Sequence, residues 1–327
     1  MSMENKQVLI SGAGGFIGSH LAEALVDSGA RVRALVHYNA LGLNGWLDTS
    51  PARDQMEIIR LDVCDRDSVL EAMRDVQVVF HLAALIAIPY SYHAPSSYVR
   101  TNIEGTLNML QSARTVQVER FIQMSSSEVY GTARYTPIDE AHPLQGQSPY
   151  SASKIGADKI AESFYYSFGT PIVTARAFNT FGPRQSARAV IPTIILQCLK
   201  EGSIHLGNLS PRRDLNYVSN TVEGLLLAGS RPGIEGQTIN LGSGREISIG
   251  DLVELIGNIM HVPVPVEVEE LRVRPPGSEV ERLLADNSRA RQLLGWQPKV
   301  SLEDGLMRTI AWIEQNLERY HSNAYTI

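Results

Sequence analysis

Short apolar runs alternate along the chain with longer segments whose apolar residues recur every three or four positions. The first run, "QVLIS" (residues 7–11), ends in "GAGGFIGSHLAEALVDSG". There Leu21, Leu25 and Val26 fall at helical spacing, and Gly29 stops the helix. "RVRALV" predicts a second strand, residues 58–61 a third, and "SVLEAM" a helix. "VQVVFHLAA" reads as a fourth strand with its exit loop, "NIEGTLNMLQSARTV" as a long amphipathic helix, and "RFIQMS" as a fifth strand. "YSASKIGADKIAESFYYSFG" predicts another helix and "IVTARAF" a sixth strand. Strands alternating with helices of this length predict an α/β fold, a doubly wound parallel sheet with right-handed crossovers, over residues 1–178. After Asn179 the alternation weakens. "GREISIGDLVELIGNIM" and "SLEDGLMRTIAWIEQNLERY" predict a smaller, mixed C-terminal lobe over 179–327, discontinuous, with segments near 212–243 returning to the first domain.

Composition narrows the class without changing this picture. The 327 residues are 43% hydrophobic and 20% charged, enough to build one large domain or two lobes sharing a cleft. A net charge of −6 with no basic run argues against a nucleic-acid partner. No apolar run approaches the ~20 residues that span a bilayer, and the N-terminus enters a strand almost at once rather than showing a signal pattern. Cys64 and Cys198 offer neither a disulfide framework nor metal-ligand spacing. A cytoplasmic protein, without metal and without a membrane or nucleic-acid partner, is the expectation.

Gly12, Gly15 and Gly18 form a G-x-x-G-x-x-G turn between the first strand and the first helix. Glycine lets the backbone turn tightly and lets a pyrophosphate approach its N–H groups, while the helix N-terminus behind favours negative charge. This context predicts a dinucleotide site. An acidic residue commonly ends the second strand of NAD proteins, where it takes the ribose hydroxyls. Here "ALVHYN" places Val36 and His37 there, so NAD is expected without excluding NADP. His37 reads either as a loop residue or, protonated, as a partner for a 2′-phosphate. Asp62, in "RLDVCD", either accepts from an adenine amino group, with Val63 on the ring, or caps the helix near Ser68.

Tyr150 and Lys154 lie four apart on a predicted helix and so share a face. A free phenol ionises near ~10; a neighbouring ammonium, with a nicotinamide's positive charge, would lower that value. The phenolate could then take a hydroxyl proton while a hydride leaves the same carbon. An amphipathic helix with an exposed lysine would give the same four-residue spacing.

These motifs are not isolated. Gly12-x-x-Gly15-x-x-Gly18, "LDV", "HLAA", "TNIEGT", "SSSEVYG", "PYSASK", "RAFNTFGPRQ", "RRDLNYV", "NLGSG" and "RPPGSEV" follow one another across nearly the whole chain. The set resembles the extended short-chain dehydrogenase/reductase family, with its Rossmann dinucleotide domain, and specifically its nucleotide-sugar epimerases and dehydratases. The resemblance implies that Tyr150 is the base for oxidation at C4, that Lys154 orients the nicotinamide ribose, and that Ser126 binds the same sugar hydroxyl. It implies that Phe16 and Ile17 of the glycine turn, with Leu82, Ala83 and Ala84, line the cofactor. Asn179 would hold the substrate phosphates, Val190 would lie in the segment covering the base, and Arg213 with Arg274 would clamp the diphosphate. Guanidinium groups suit that task, since they meet phosphate oxygens with paired donors; taken singly, each arginine would read as a surface residue. A homodimer through the helices at 102–116 and 150–168 is implied as well, although apolar faces on those helices are equally consistent with packing on the sheet.

Ser126-Ser127-Glu128 discriminates within the family. It is similar to the Thr-Ser-Glu of GDP-mannose 4,6-dehydratases and of the 4,6-dehydratases that open bacterial nonulosonic-acid pathways, whereas 4-epimerases usually carry a small residue at the position of Glu128. A C4 ketone acidifies the C5 proton, and a carboxylate can remove it as water leaves C6. Glu128 is therefore the expected C5 base. dTDP-glucose 4,6-dehydratases carry aspartic acid at the position of Ser127, so here either Glu128 serves both proton transfers or Ser127 relays one through water. A 4,6-dehydratase of an N-acetylhexosamine nucleotide is the leading expectation. A 4-epimerase in which Glu128 is a loop carboxylate, and a nicotinamide-binding sensor without turnover, are the alternatives.

Overall fold

The computed structural model describes residues 2–200, 203–263 and 265–320. Six strands run in sequence: β1 (Gln7–Ser11), β2 (Arg31–Val36), β3 (Met56–Arg60), β4 (Val78–His81), β5 (Arg120–Ser126) and β6 (Ile172–Ala177). With Thr238–Leu241 they form one seven-stranded sheet, all of whose pairings are parallel, ordered Thr238–Leu241, β6, β5, β4, β1, β2, β3. The direction of winding reverses between β1 and β4, and ligands of such sheets bind at the carboxyl ends of the strands beside that point.

Alternation along β1 shows how the strands feed two layers. Val8 and Ile10 enter a core with Leu21 and Leu25 of the helix Phe16–Asp27 and Val222 and Leu225 of the helix Val218–Ser230. Leu9 enters the opposite core with Val69, Met109, Leu110 and Phe164. Those residues come from the helices Arg66–Ala72, Gly105–Val116 and Pro149–Phe168. Burial on both faces explains why the strands read as nearly continuous apolar runs.

Most element types follow the sequence expectation, with local differences. The long helix expected from residue 102 begins as a π-helical turn, Val99–Glu104, before becoming regular at Gly105. The helix after β3 is capped by Asp65, whose carboxylate accepts from the N–H groups of Asp67 and Ser68. Asp62 is therefore not the cap; its Oδ1 accepts from the Cys64 N–H at 2.9 Å. Returning chain supplies the helix Val218–Ser230 and the seventh strand, while Arg212–Tyr217 belongs to a second sheet. In that sheet it pairs parallel with Asn179–Phe181 and Arg282–Leu283 and antiparallel with Glu246–Ser248. Both cysteines are free, and among the described residues no helix is long and apolar enough to cross a membrane.

Backbones approach closely at the glycine-rich turn. A Cβ on Gly14 would lie 2.5 Å from the Asn44 carbonyl oxygen, and one on Gly45 would lie 2.3 Å from the Gly14 oxygen. The Trp46 N–H also donates to the Gly14 carbonyl at 2.9 Å, so the loop after β2 is seated on the turn.

Candidate active site

The turn after β1 needs glycine because the chain packs against itself there. Gly12 has φ +74°, and a Cβ on it would lie 2.9 Å from the Ala83 nitrogen. A Cβ on Gly18 would sit 2.2 Å from the Gly12 oxygen, inside contact distance of rigid backbone. Gly15 precedes the helix Phe16–Asp27 with no side chain capping it, so the first-turn N–H groups are left for another acceptor. Phe16 and Ile17, half-buried in that first turn, pack against the core. Gly18→Ala is expected to disrupt the turn, seen as loss of dinucleotide binding by calorimetry and a lowered melting temperature. Unchanged binding would contradict the close approach.

The loop after β4 is held from beneath by side chains to which no role was assigned from the sequence. Buried His81 hydrogen-bonds the Ser11 hydroxyl at 2.7 Å and the Thr106 hydroxyl at 3.0 Å, and Ser11 Oγ accepts from the Ala83 N–H. Burial lowers the imidazole pKa to about 3, with Lys154 adding to the effect, so the ring is neutral. Asn102 brackets Leu85, accepting from its N–H at 2.9 Å and donating to its carbonyl at 3.0 Å, and also donates to Ser153. The half-buried Leu82, Ala83 and Ala84 are thereby fixed beside the glycine turn. Only the motif "TNIEGT" signalled Asn102 and Thr106. Toward the other edge, Val63 is buried and accepts at its carbonyl from Asn108, while the Cys64 N–H holds the Asp62 carboxyl below its ordinary value. His37 is exposed, its Nδ1 donating to the Tyr38 carbonyl at 2.7 Å.

The proton-transfer groups meet at the end of β5. Ser148 and Ser151 form a capping box and Pro149 opens the helix, fixing the turn that carries Tyr150. The Tyr150 phenol lies close to the Ser126 hydroxyl, and its ring stacks edge-on against Tyr98 at 6.3 Å. Burial pushes the phenol well above its ordinary value, against the influence of the Ser126 hydroxyl, while Glu128 adds to the rise. The lowering expected from Lys154 joined by a nicotinamide's positive charge has this burial to overcome. The Lys154 ammonium donates to the Met124 carbonyl at 2.7 Å instead, and burial lowers its own pKa against the field of Asp158.

A short 3-10 turn, Ser127–Tyr130, follows β5 and is capped by Ser126, whose hydroxyl accepts from the Glu128 N–H at 3.2 Å. Ser127 is buried, whereas Glu128 is half-buried and near enough to act electrostatically on both the Tyr150 phenol and the Arg213 guanidinium. Arg213, on Arg212–Tyr217, is only 7% exposed, and burial lowers its pKa against Glu128 and Glu279. Its Nη2 donates to Glu279 Oε1 at 3.2 Å; Arg274 Nη1 approaches the same oxygen at 3.7 Å, too long for a hydrogen bond. Arg274 Nη1 and Asn179 Nδ2 are buried donors without a hydrogen-bond partner. Such orphan donors beside paired guanidinium groups suit an anionic ligand. Val190 opens the helix Val190–Cys198 and is half-buried. The structure thus brings Ser126, Glu128, Tyr150, Arg213 and Arg274 into one charged cluster, while His37 and Asp62 lie toward the opposite edge of the sheet.

A parallel sheet with a glycine turn at its switch point, and a Ser-Tyr-Lys set at the end of β5, define an extended short-chain dehydrogenase/reductase. The chain belongs to the GDP-mannose 4,6-dehydratase family, whose model matches residues 9–309. It is 30% identical to human dTDP-D-glucose 4,6-dehydratase, over 96% of this chain and 92% of that protein. It is similarly near, at 31%, to the UDP-glucose 4-epimerase of Mycolicibacterium smegmatis, over 93% of this chain and 97% of the relative. Among solved structures, DesIV from Streptomyces venezuelae, a dTDP-glucose 4,6-dehydratase with NAD bound, superposes with a TM-score of 0.88 at 27% identity. That superposition covers 96% of this chain and 99% of DesIV. The protein is therefore of the nucleotide-sugar 4,6-dehydratase and 4-epimerase class.

Proposed function

We propose that the protein is an NAD-dependent nucleotide-diphospho-sugar 4,6-dehydratase, converting an N-acetylhexosamine nucleotide to the 4-keto-6-deoxy sugar. The observation that carries this reading is the Glu128 carboxylate, half-buried and close enough to act electrostatically on both the Tyr150 phenol and the Arg213 guanidinium. An epimerase has no carbon-bound proton for such a group to remove.

The glycine turn and the Leu82–Ala84 loop would hold the cofactor, which when bound supplies the hydride acceptor at C4 and the donor at C6. Tyr150 takes the C4 hydroxyl proton, with the nearby Ser126 hydroxyl bonding the same sugar oxygen. Lys154 would orient the nicotinamide ribose. Glu128 removes the C5 proton and delivers one to the departing C6 hydroxyl, with Ser127 behind it as a relay through water. Arg213, Arg274 and Asn179 hold the diphosphate, which replaces Glu279 as the partner of the two guanidinium groups. A homodimer through the helices at 102–116 and 150–168 completes the reading; exposed Tyr166 and Phe168, at 73% and 48%, lie at the far end of the second.

Incubation with UDP-, GDP- and dTDP-hexoses in deuterated water tests this reading. Solvent deuterium at C5 of a 6-deoxy-4-keto product is the expected result. Inversion at C4 with the C6 hydroxyl retained would establish the epimerase instead, and tight cofactor binding with no turnover on any hexose would establish a sensor.

A further inference from the structure

Behind the site lies a buried polar chain that none of the preceding roles uses. Asp158 sits one helical turn beyond Lys154 and is 4% exposed. Its Oδ2 accepts from the Ser125 hydroxyl at 2.7 Å and from Arg176 Nε at 3.3 Å. Arg176, on β6 and 5% exposed, donates through Nη1 to the Tyr130 hydroxyl at 3.0 Å, and its guanidinium carbon lies 4.9 Å from the centre of the Tyr130 ring. The Tyr130 hydroxyl in turn donates to Asn240 Oδ1 at 2.7 Å, and Asn240 Nδ2 donates to the Ile138 carbonyl at 3.0 Å.

Topology gives this chain its meaning. Asp158 belongs to the helix that carries Tyr150 and Lys154, and Ser125 precedes Ser126 at the end of β5. Tyr130 closes the 3-10 turn that carries Glu128. One guanidinium therefore bonds the element bearing the C4 base and, through a second edge, the element bearing the C5 carboxylate. A planar fork can hold two partners in fixed directions, which an ammonium on a flexible stem cannot. Asp158 Oδ1 is buried without a hydrogen-bond partner, so both bonds to this carboxylate run through Oδ2, and burial makes either of them costly to lose.

We propose that Arg176 is a positioning residue that sets Glu128 relative to Tyr150, so that the carboxylate meets the C5 proton only after the C4 ketone has formed on the other side. This rests on the dehydratase reading. Asp158 and Tyr130 are its two anchors, and Asn240 fixes Tyr130 from the seventh strand. Loss of the Tyr130 anchor lets the Ser127–Tyr130 turn drift while the Tyr150–Lys154 helix stays in place. Elimination then slows and oxidation at C4 does not.

Two variants test this. Tyr130→Phe removes the hydroxyl and keeps the ring under the guanidinium; Arg176→Lys keeps a charge for Asp158 and loses the fork. In single-turnover experiments on the NAD-loaded enzyme with the nucleotide sugar that wild type turns over, reduced nicotinamide is followed by absorbance and C5 deuterium by mass. Both variants are expected to form the reduced cofactor at near the wild-type rate. C5 exchange and 6-deoxy product should fall about 10²-fold, the scale of an ångström-sized misplacement. Circular dichroism melting checks that the fold persists. Equal slowing of both half-reactions, or an unchanged ratio between them, overturns the positioning role. Wild-type enzyme that inverts C4 without C5 exchange instead overturns the dehydratase reading, which separates the two failures.

Discussion

Glu128→Gln is expected to stop elimination while leaving oxidation at C4 intact. The amide is nearly isosteric and can still accept the hydrogen bonds of a carboxylate, but it cannot take a proton from carbon. Removing a general base costs about 10²- to 10⁴-fold, and in the proposed mechanism the same group also serves the departing hydroxyl, so the upper end is expected. The distinctive readout is accumulation: reduced cofactor should build up on the variant and persist, because the 4-keto sugar has no route forward. No C5 deuterium should be found. The side chain stands near Arg213, whose buried guanidinium would lose one of two opposing carboxylates. Arg213 keeps Glu279 at 3.2 Å, so the variant is expected to fold and to bind cofactor. Full turnover by the glutamine variant would remove Glu128 from the mechanism.

The second large effect is at Tyr150. Tyr150→Phe is expected to abolish oxidation itself, by about 10²- to 10⁴-fold, so that no reduced cofactor forms and Glu128 never meets an acidified C5. The pH profile of the wild type carries the same information with a sign. Burial raises the phenol above its ordinary value, so at neutral pH the proton-accepting form is scarce. Each unit of pH below that pKa changes the reactive fraction about tenfold. The C4 oxidation rate should therefore climb from neutral toward alkaline pH, and cofactor binding, through added positive charge, should bring that climb to lower pH. The phenylalanine variant should show no such limb. Its normal oxidation would leave only a binding role for the Tyr150–Lys154 helix.

These expectations draw on both the chain's pattern and its folding. β1, β2, β4, β5 and β6 were legible because each holds a short run rich in apolar residues next to a helix signal. Thr238–Leu241 was legible only as part of the chain returning near 212–243, since "TINL" alternates polar and apolar residues where β4 opens on a continuous apolar run. Arg213 and Arg274 were legible as a pair only through the order of motifs; that Glu279 stands between them depends on a loop folding back across the small sheet. Sequence spacing shows that Lys154 is near Tyr150, but neither that burial raises the phenol nor that the ammonium donates to the Met124 carbonyl. Asp158, Arg176 and Tyr130 are far apart in the chain and ordinary in composition. No local pattern could have announced that a helix, a strand and a turn share one guanidinium.

The seat between Gly14 and Gly45 carries one more consequence. Each residue is small for the sake of the other, 31 positions away, since any side chain on either would strike the partner's peptide group. The two sites therefore constrain a single shape. The segment after β2 fits only against the closed glycine turn, and that segment in turn floors it. Mutational tolerance in this quarter of the molecule belongs to the couple rather than to either member.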